Sequence, residues 1–127
     1  MATILVVDDD VAVLETLAAI VKSGGHRAVK AGSGTAALDI LDSETEIDLM
    51  LTDIMMPGLN GFNLARMARW RRRDLKILYM TGFNEQTAAM RDTGKRLGKL
   101  LLKPLRAADL RRELDAALLL APVPLMS

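Results

Sequence analysis

The feature that most restricts the fold of this chain is a repeated switch between two periodicities. Thr3–Asp8 (TILVVD) is β-branched and apolar throughout, as in a strand covered on both faces. From Val11 to Lys22 the spacing becomes helical: Val11, Leu14, Leu17, Ala18 and Val21 share one face, and Ser23-Gly24-Gly25 ends the segment. The alternation continues. His26–Gly32 reads as a weak second strand, and Ser33 caps a helix through Ala36, Ala37, Ile40 and Leu41. Asp48–Asp53 is a third strand, and Phe62–Arg73 a helix whose terminal arginines suit the negative end of its dipole. Leu75–Thr81 is a fourth strand, Glu85–Leu97 a helix, Lys99–Leu102 a short fifth strand, and Ala107–Leu120 the last helix. Strands alternating with helices imply right-handed β-α-β units, and so an α/β fold with a doubly wound five-stranded parallel sheet and helices on both faces.

In such sheets, ligands bind beyond the carboxyl ends of the strands. Strand one ends in Asp8 and Asp9, strand three in Asp53, strand four in Thr81 and strand five in Lys103-Pro104, whereas strand two ends in Ala31-Gly32. Asp10 reads as the N-cap of the first helix. Three carboxylates on one rim repel each other, so one holds its proton unless a cation is present. A hard divalent ion such as magnesium, which takes oxygen ligands and one or two carboxylates, resolves the conflict at Asp8, Asp9 and Asp53. Asp53 also suits the role of nucleophile toward phosphorus, forming an acyl phosphate. That chemistry needs neutralised phosphoryl oxygens more than acid–base groups. Lys103 offers a compact positive charge and Thr81 a hydroxyl.

Composition removes competing classes. The chain has 127 residues, enough for one domain, and half are hydrophobic. Net charge is +1, so no strong field points to nucleic acid or an anionic membrane. Without cysteine there is no disulfide, thiolate metal site or thiol nucleophile, and the single His26, read as a surface residue at a strand start, rules out a histidine metal cluster. No apolar run is long enough to span a bilayer, and the N-terminus lacks signal-peptide features, so a cytoplasmic location is expected. The run Arg69–Asp74 (RWRRRD) carries a single aromatic, a poor nucleic-acid footprint. Met50, Met55, Met56, Met67, Met80 and Met90 are read as core and loop packing.

Val6–Asp9 (VVDD), Asp53–Gly61 (DIMMPGLNG), Met80–Gly82 (MTG) and Lys103-Pro104 occur in the order and spacing of one family. Through them, essentially the whole chain, residues 1–127 with 120–127 as a tail, resembles the receiver domain of two-component response regulators, in single-domain form. The resemblance implies a flavodoxin-like fold with strand order 2-1-3-4-5 and five helices, and a Lys103–Pro104 peptide that is usually cis. It implies that Asp53 accepts a phosphoryl group from a phosphohistidine on a histidine kinase or phosphotransfer protein. Asp8, Asp9, Asp53 and the Met55 backbone carbonyl would bind Mg2+, and Thr81 and Lys103 would contact the phosphoryl group. The expected output is contact with a downstream protein or a homodimer, through the fourth expected helix, the fifth strand and the last helix with its apolar end Leu118–Leu120. Neither nucleic acid nor membrane is an expected direct partner.

The chain departs from the family at Leu100, where Tyr or Phe is common, and at Gly82, where alanine is frequent. Leucine lacks the polar tip of the family's rotating ring, and Phe83 is a candidate substitute. A phosphatase of the haloacid dehalogenase type would need a general acid two residues after the nucleophile, where this chain has Met55. The expectation is therefore a switch that catalyses only its own phosphorylation and dephosphorylation. The alternative is a receiver-like interaction module that works without phosphorylation.

Overall fold

The computed structural model describes residues 1–82 and 94–124. Five strands, β1 (Thr3–Val7), β2 (Arg27–Ala31), β3 (Leu49–Asp53), β4 (Lys76–Thr81) and β5 (Gly98–Leu102), form one parallel sheet in the order β2-β1-β3-β4-β5. The helices among the described residues are α1 (Val11–Ser23), α2 (Gly34–Asp42), α3 (Gly61–Arg71) and α4 (Ala107–Leu119). All five expected strands are present, with ends shifted by a residue or so. The expected helix Glu85–Leu97 falls mainly on residues 83–93, outside those described, and Gly94–Leu97 are not helical.

The apolar runs are continuous because both faces of the sheet are covered. Along β1, Ile4 and Val6 pack with Leu49, Leu51, Leu78, Met80 and Leu101 beneath α1 and α4. Leu5 and Val7 point the other way, into a core with Met50, Ile77 and Tyr79 beneath α2 and α3. The period-two alternation of a strand thus feeds two hydrophobic layers. β2, at the sheet edge, is only half-buried, which is why it reads weakly in the sequence.

Two caps expected from the sequence are in place. Asp10 accepts the N–H groups of Ala12 and Val13 at the start of α1, and Ser33 accepts that of Ala36 at the start of α2. Each such cap stabilises its helix by about 1 kcal/mol. His26 differs from expectation. It is half-buried: Nδ1 accepts the Ala2 N–H at 3.1 Å, and Nε2 lies 3.1 Å from Asp115 of α4. It therefore ties the start of β1 to the last helix, a contact between distant segments that no local pattern announces.

The arginines on either side of Trp70 are used internally. Arg69 is buried and donates through Nε to the Arg73 carbonyl at 3.0 Å and through Nη1 to the Val123 carbonyl at 2.6 Å. Desolvation holds its pKa below the ordinary arginine value. Arg71 pairs with Asp42 at 2.7 Å, and Arg72 donates to the carbonyls of Leu41, Ser43 and Thr45. After α4 the chain leaves one face of the sheet. Lys76 Nζ donates to the Leu118 carbonyl, and Val123 packs into the core on the α2–α3 side.

The turn from β3 into α3 sets the position of Asp53. Gly58 has φ +79, a left-handed conformation that suits glycine, and the buried side chains of Ile54 and Met56 pin the loop. Gly61 then brings α3 against the end of β3: a Cβ there would lie 2.3 Å from the Asp53 carbonyl oxygen and 2.8 Å from Ile54 Cα. Both are backbone atoms, so no side-chain rotation relieves the clash. Gly61→Ala should therefore cost about 1–3 kcal/mol, the usual range for overpacking. Urea unfolding monitored by circular dichroism measures it; a midpoint equal to that of the parent would show that α3 can slide away from β3 at no cost.

Candidate functional site

Parallel pairing places the ends of β1, β3, β4 and β5 side by side. Val7 pairs with Thr52, Asp53 with Met80, and Thr81 with Leu102. Each strand runs one residue into the rim. Asp8 N–H donates to the Ala31 carbonyl at 3.2 Å, Ile54 N–H to Met80 at 3.0 Å, and Lys103 N–H to Thr81 at 2.7 Å. The last of these fixes the backbone that carries the lysine, and the Lys103–Pro104 peptide that follows is cis.

The side chains expected from the sequence meet there. Lys103 Nζ lies 3.1 Å from Asp53 Oδ2 and 3.3 Å from Asp8 Oδ2, so one ammonium is shared by two carboxylates on different strands. Asp8 is 1% exposed and Asp53 5% exposed, whereas Asp9 faces solvent. The remaining oxygens are held from the backbone: Asp8 Oδ1 accepts the Asp10 N–H at 2.9 Å and Asp53 Oδ1 the Met55 N–H at 3.2 Å. Thr81, 2% exposed, donates to the Gly82 carbonyl at 3.2 Å. One threonine was not singled out by sequence reasoning: the buried Thr52 donates to the Asp53 carbonyl at 2.9 Å. Its place beside a candidate acid at a strand end was the available signal.

Burial and the neighbouring charges pull on the two groups in opposite senses. Burial pushes the Asp8 carboxyl above its ordinary range; the Asp10 N–H and Lys103 oppose the shift without cancelling it, and the nearby Asp53 charge adds to it. For Lys103, burial alone would lower the pKa. The hydrogen bond and charge of Asp53, together with Asp8, outweigh burial and hold the ammonium above its ordinary value.

Carboxylate oxygens of Asp8, Asp9 and Asp53 lie within 4.8 Å of one another, a spacing that could hold a metal ion. The donor set is entirely oxygen, with two acids buried and one open to solvent, which fits a hard divalent cation that keeps water ligands and suits no soft metal. Met55, two residues beyond Asp53, is exposed, and its N–H is committed to Asp53. Of the departures from the family pattern, Leu100 is half-buried and pairs in register with Tyr79, a fully buried residue whose hydroxyl accepts the Leu97 N–H at 3.0 Å. Phe83 lies outside the described residues.

Comparison with known proteins agrees with this geometry. The response regulator receiver domain family matches residues 4–115. The response regulator receiver protein CpdR of Brucella abortus is 33% identical over 121 residues, 95% of this chain and 100% of that protein. The response regulator FleR of Pseudomonas aeruginosa is 34% identical over 109 residues, which are 86% of this chain and 23% of that longer one. Among solved structures, a response regulator receiver protein from Sinorhizobium medicae superposes with a TM-score of 0.80 at 28% identity, covering 92% of this chain and 94% of the other. TrrA from Thermotoga maritima, a response regulator in complex with Mg2+-BeF, superposes with a TM-score of 0.75 at 25% identity, covering 92% and 99%. A match that runs from the first strand into the last helix, and that agrees with the solved structures in fold, carries one conclusion: the chain belongs to the response regulator receiver domain family of two-component systems.

Proposed function

We propose that this receiver is a phosphoacceptor whose Asp53 takes a phosphoryl group from a phosphohistidine on a histidine kinase or phosphotransfer protein, and that it signals through protein contacts. The observation that carries the reading is the Lys103 ammonium shared between the buried acids Asp53 and Asp8. A carboxylate oxygen of Asp53 attacks phosphorus, the bond from phosphorus to the donor imidazole nitrogen breaks, and the imidazole leaves with the electron pair. An acyl phosphate results. Asp8, Asp9, Asp53 and the Met55 carbonyl would hold Mg2+, which when bound supplies positive charge to the phosphoryl oxygens.

The chain's own groups do the rest. Lys103, held cationic by its two acids, turns from the Asp53 carboxylate to a phosphoryl oxygen. The Thr81 hydroxyl exchanges its bond to the Gly82 carbonyl for another phosphoryl oxygen. The Met55 N–H, already aimed at Asp53 Oδ1, orients the carboxylate before transfer. No general acid stands two residues beyond Asp53, where Met55 is found, so the protein would catalyse its own phosphorylation and dephosphorylation without turning over phosphate esters. The reading takes residues 1–127 as one receiver domain, with 120–127 as a tail.

Incubation with a small acyl-phosphate donor and Mg2+, followed by intact mass, should give one phosphoryl group per chain. Asp53→Asn should abolish it; an adduct of undiminished yield on that variant would refute the assignment. Asp9→Asn should weaken Mg2+ binding at least roughly fivefold, since removing one charge a few ångströms from a cation is worth about 1–4 kcal/mol. Titration calorimetry with the metal alone reads this effect without any phosphodonor.

The signal should also spread unevenly. A phosphoryl group shifts an equilibrium only by interacting differently with the two states. Thr81 and Lys103 supply that difference at the rim, but Leu100 has no polar tip that would prefer solvent in one state. Amide shifts on adding a phosphoryl mimic with Mg2+ should be large at Asp53 and Thr81 and small at Leu100, and Leu100→Tyr should enlarge the shifts along β5. Large shifts at Leu100 in the parent would remove this distinction.

A further inference from the structure

The solvent stripe of α3 carries two exposed apolar side chains. Met67 is 38% exposed and Trp70 72% exposed, one helical turn apart, although the methionine was expected in packing. The end of the same helix is basic, with Arg71 and, just past it, the exposed Arg73. Beside it, α2 ends in acids: Asp39 and Asp42, then Glu44 and Glu46 in the following loop, all exposed. Both helices pack on the same face of the sheet and follow parallel strands, so they run in the same direction and both charged ends lie at the edge of the sheet opposite Asp53. An apolar centre flanked by an acidic helix end and a basic one is a surface complementary to itself.

We propose that the α2–α3 face binds a second copy of this chain, the two related by a two-fold axis parallel to the helices. That operator lays α2 of one copy over α3 of its partner, with the helices still parallel and their charged ends level. Acidic meets basic twice, and Trp70 and Met67 of each copy fill the gap beside the half-buried Ile40 of the other. The competing operator, perpendicular to the helices, would set α3 on α3 and α2 on α2. It would turn the helices antiparallel, so that their charged ends meet the uncharged first turns at Gly34–Thr35 and Gly61–Asn63 and form no ion pairs between copies, and is disfavoured on that ground. Arg71 is already paired with Asp42 within one chain, so the new attraction falls mainly on Arg73 against Glu44 and Glu46. The rim at Asp8, Asp9 and Asp53 lies at the carboxyl ends of the strands and stays accessible in this arrangement. The contact uses none of the residues of the apolar end Leu118–Leu120.

Trp70 is the single tryptophan of the chain, so its emission reports this face alone. Sedimentation velocity at rising protein concentration in low salt should show a reversible dimer, with Trp70 emission moving to shorter wavelength over the same range. Because the bridging charges are exposed, higher salt should weaken the dimer. Trp70→Ala, at an exposed position where the fold is not at stake, should weaken it at least roughly tenfold, as a central aromatic anchor does. Arg73→Glu should weaken it, and adding Glu44→Arg and Glu46→Arg to that variant should restore it, since every copy then carries the exchanged charges. A chain that stays monomeric with unshifted emission up to about 1 mM, where even weak specific contacts populate, would overturn the proposal. So would a dimer of unchanged affinity in Trp70→Ala, which would place association on another face.

Discussion

One ammonium held between two buried carboxylates organises the functional end of this molecule. Lys103 follows β5, Asp8 follows β1 and Asp53 closes β3, so these side chains meet only because the sheet orders its strands β2-β1-β3-β4-β5 and keeps all of them parallel. An ion pair of this kind contributes little net stability, because desolvating the charges offsets much of their attraction. Its value lies in concentrating unlike charges where a more highly charged group can displace them. Burial is the main reason the Asp8 carboxyl is held above its ordinary range, and the charge of Asp53, which shares the same lysine, adds to the shift.

The surroundings of that pair are stiff on one side and open on the other. Asp53 is fixed from below by the Thr52 hydroxyl on its carbonyl and by the close approach of Gly61, and its carboxylate is oriented by the Met55 N–H. Asp9 and Met55 are exposed, so access is from the solvent side of the rim. Asp53 is therefore held in place, and the groups with freedom to rearrange are Lys103, through its flexible stem, and Thr81, through its hydroxyl.

Much of this was legible in the sequence, for a physical reason. In a parallel sheet the apolar run stops where the strand stops, so the next one or two residues mark the rim, and Asp8, Asp9, Asp53, Thr81 and Lys103 could be read off as strand ends. The helix caps were equally legible, because Asp10 and Ser33 act within three residues of themselves. What local patterns could not reveal were contacts between segments far apart in the chain. Nothing near His26 announces Asp115, and nothing near Gly61 announces the Asp53 carbonyl, although a glycine as the first residue of a helix was a signal in hindsight. The arginine run was legible as charge but not as structure: Arg69 is buried, and Arg72 serves three carbonyls of the loop after α2. Half-burial explains the weak pattern of β2, whose edge position leaves fewer residues to hide.

The Arg69–Val123 bond joins the segment after α4 to the end of α3. After α4 the chain crosses under the start of β4, and Val123 is tied to the buried guanidinium at the end of α3 and packed into the core on that side. The segment after α4 is thus joined to α3, a helix whose first residue, Gly61, lies against the Asp53 carbonyl. One helix, α3, thus touches Val123 at one end and the Asp53 carbonyl at the other, so a single element spans the sheet from its edge at the chain's last described residues to the rim that holds the acids.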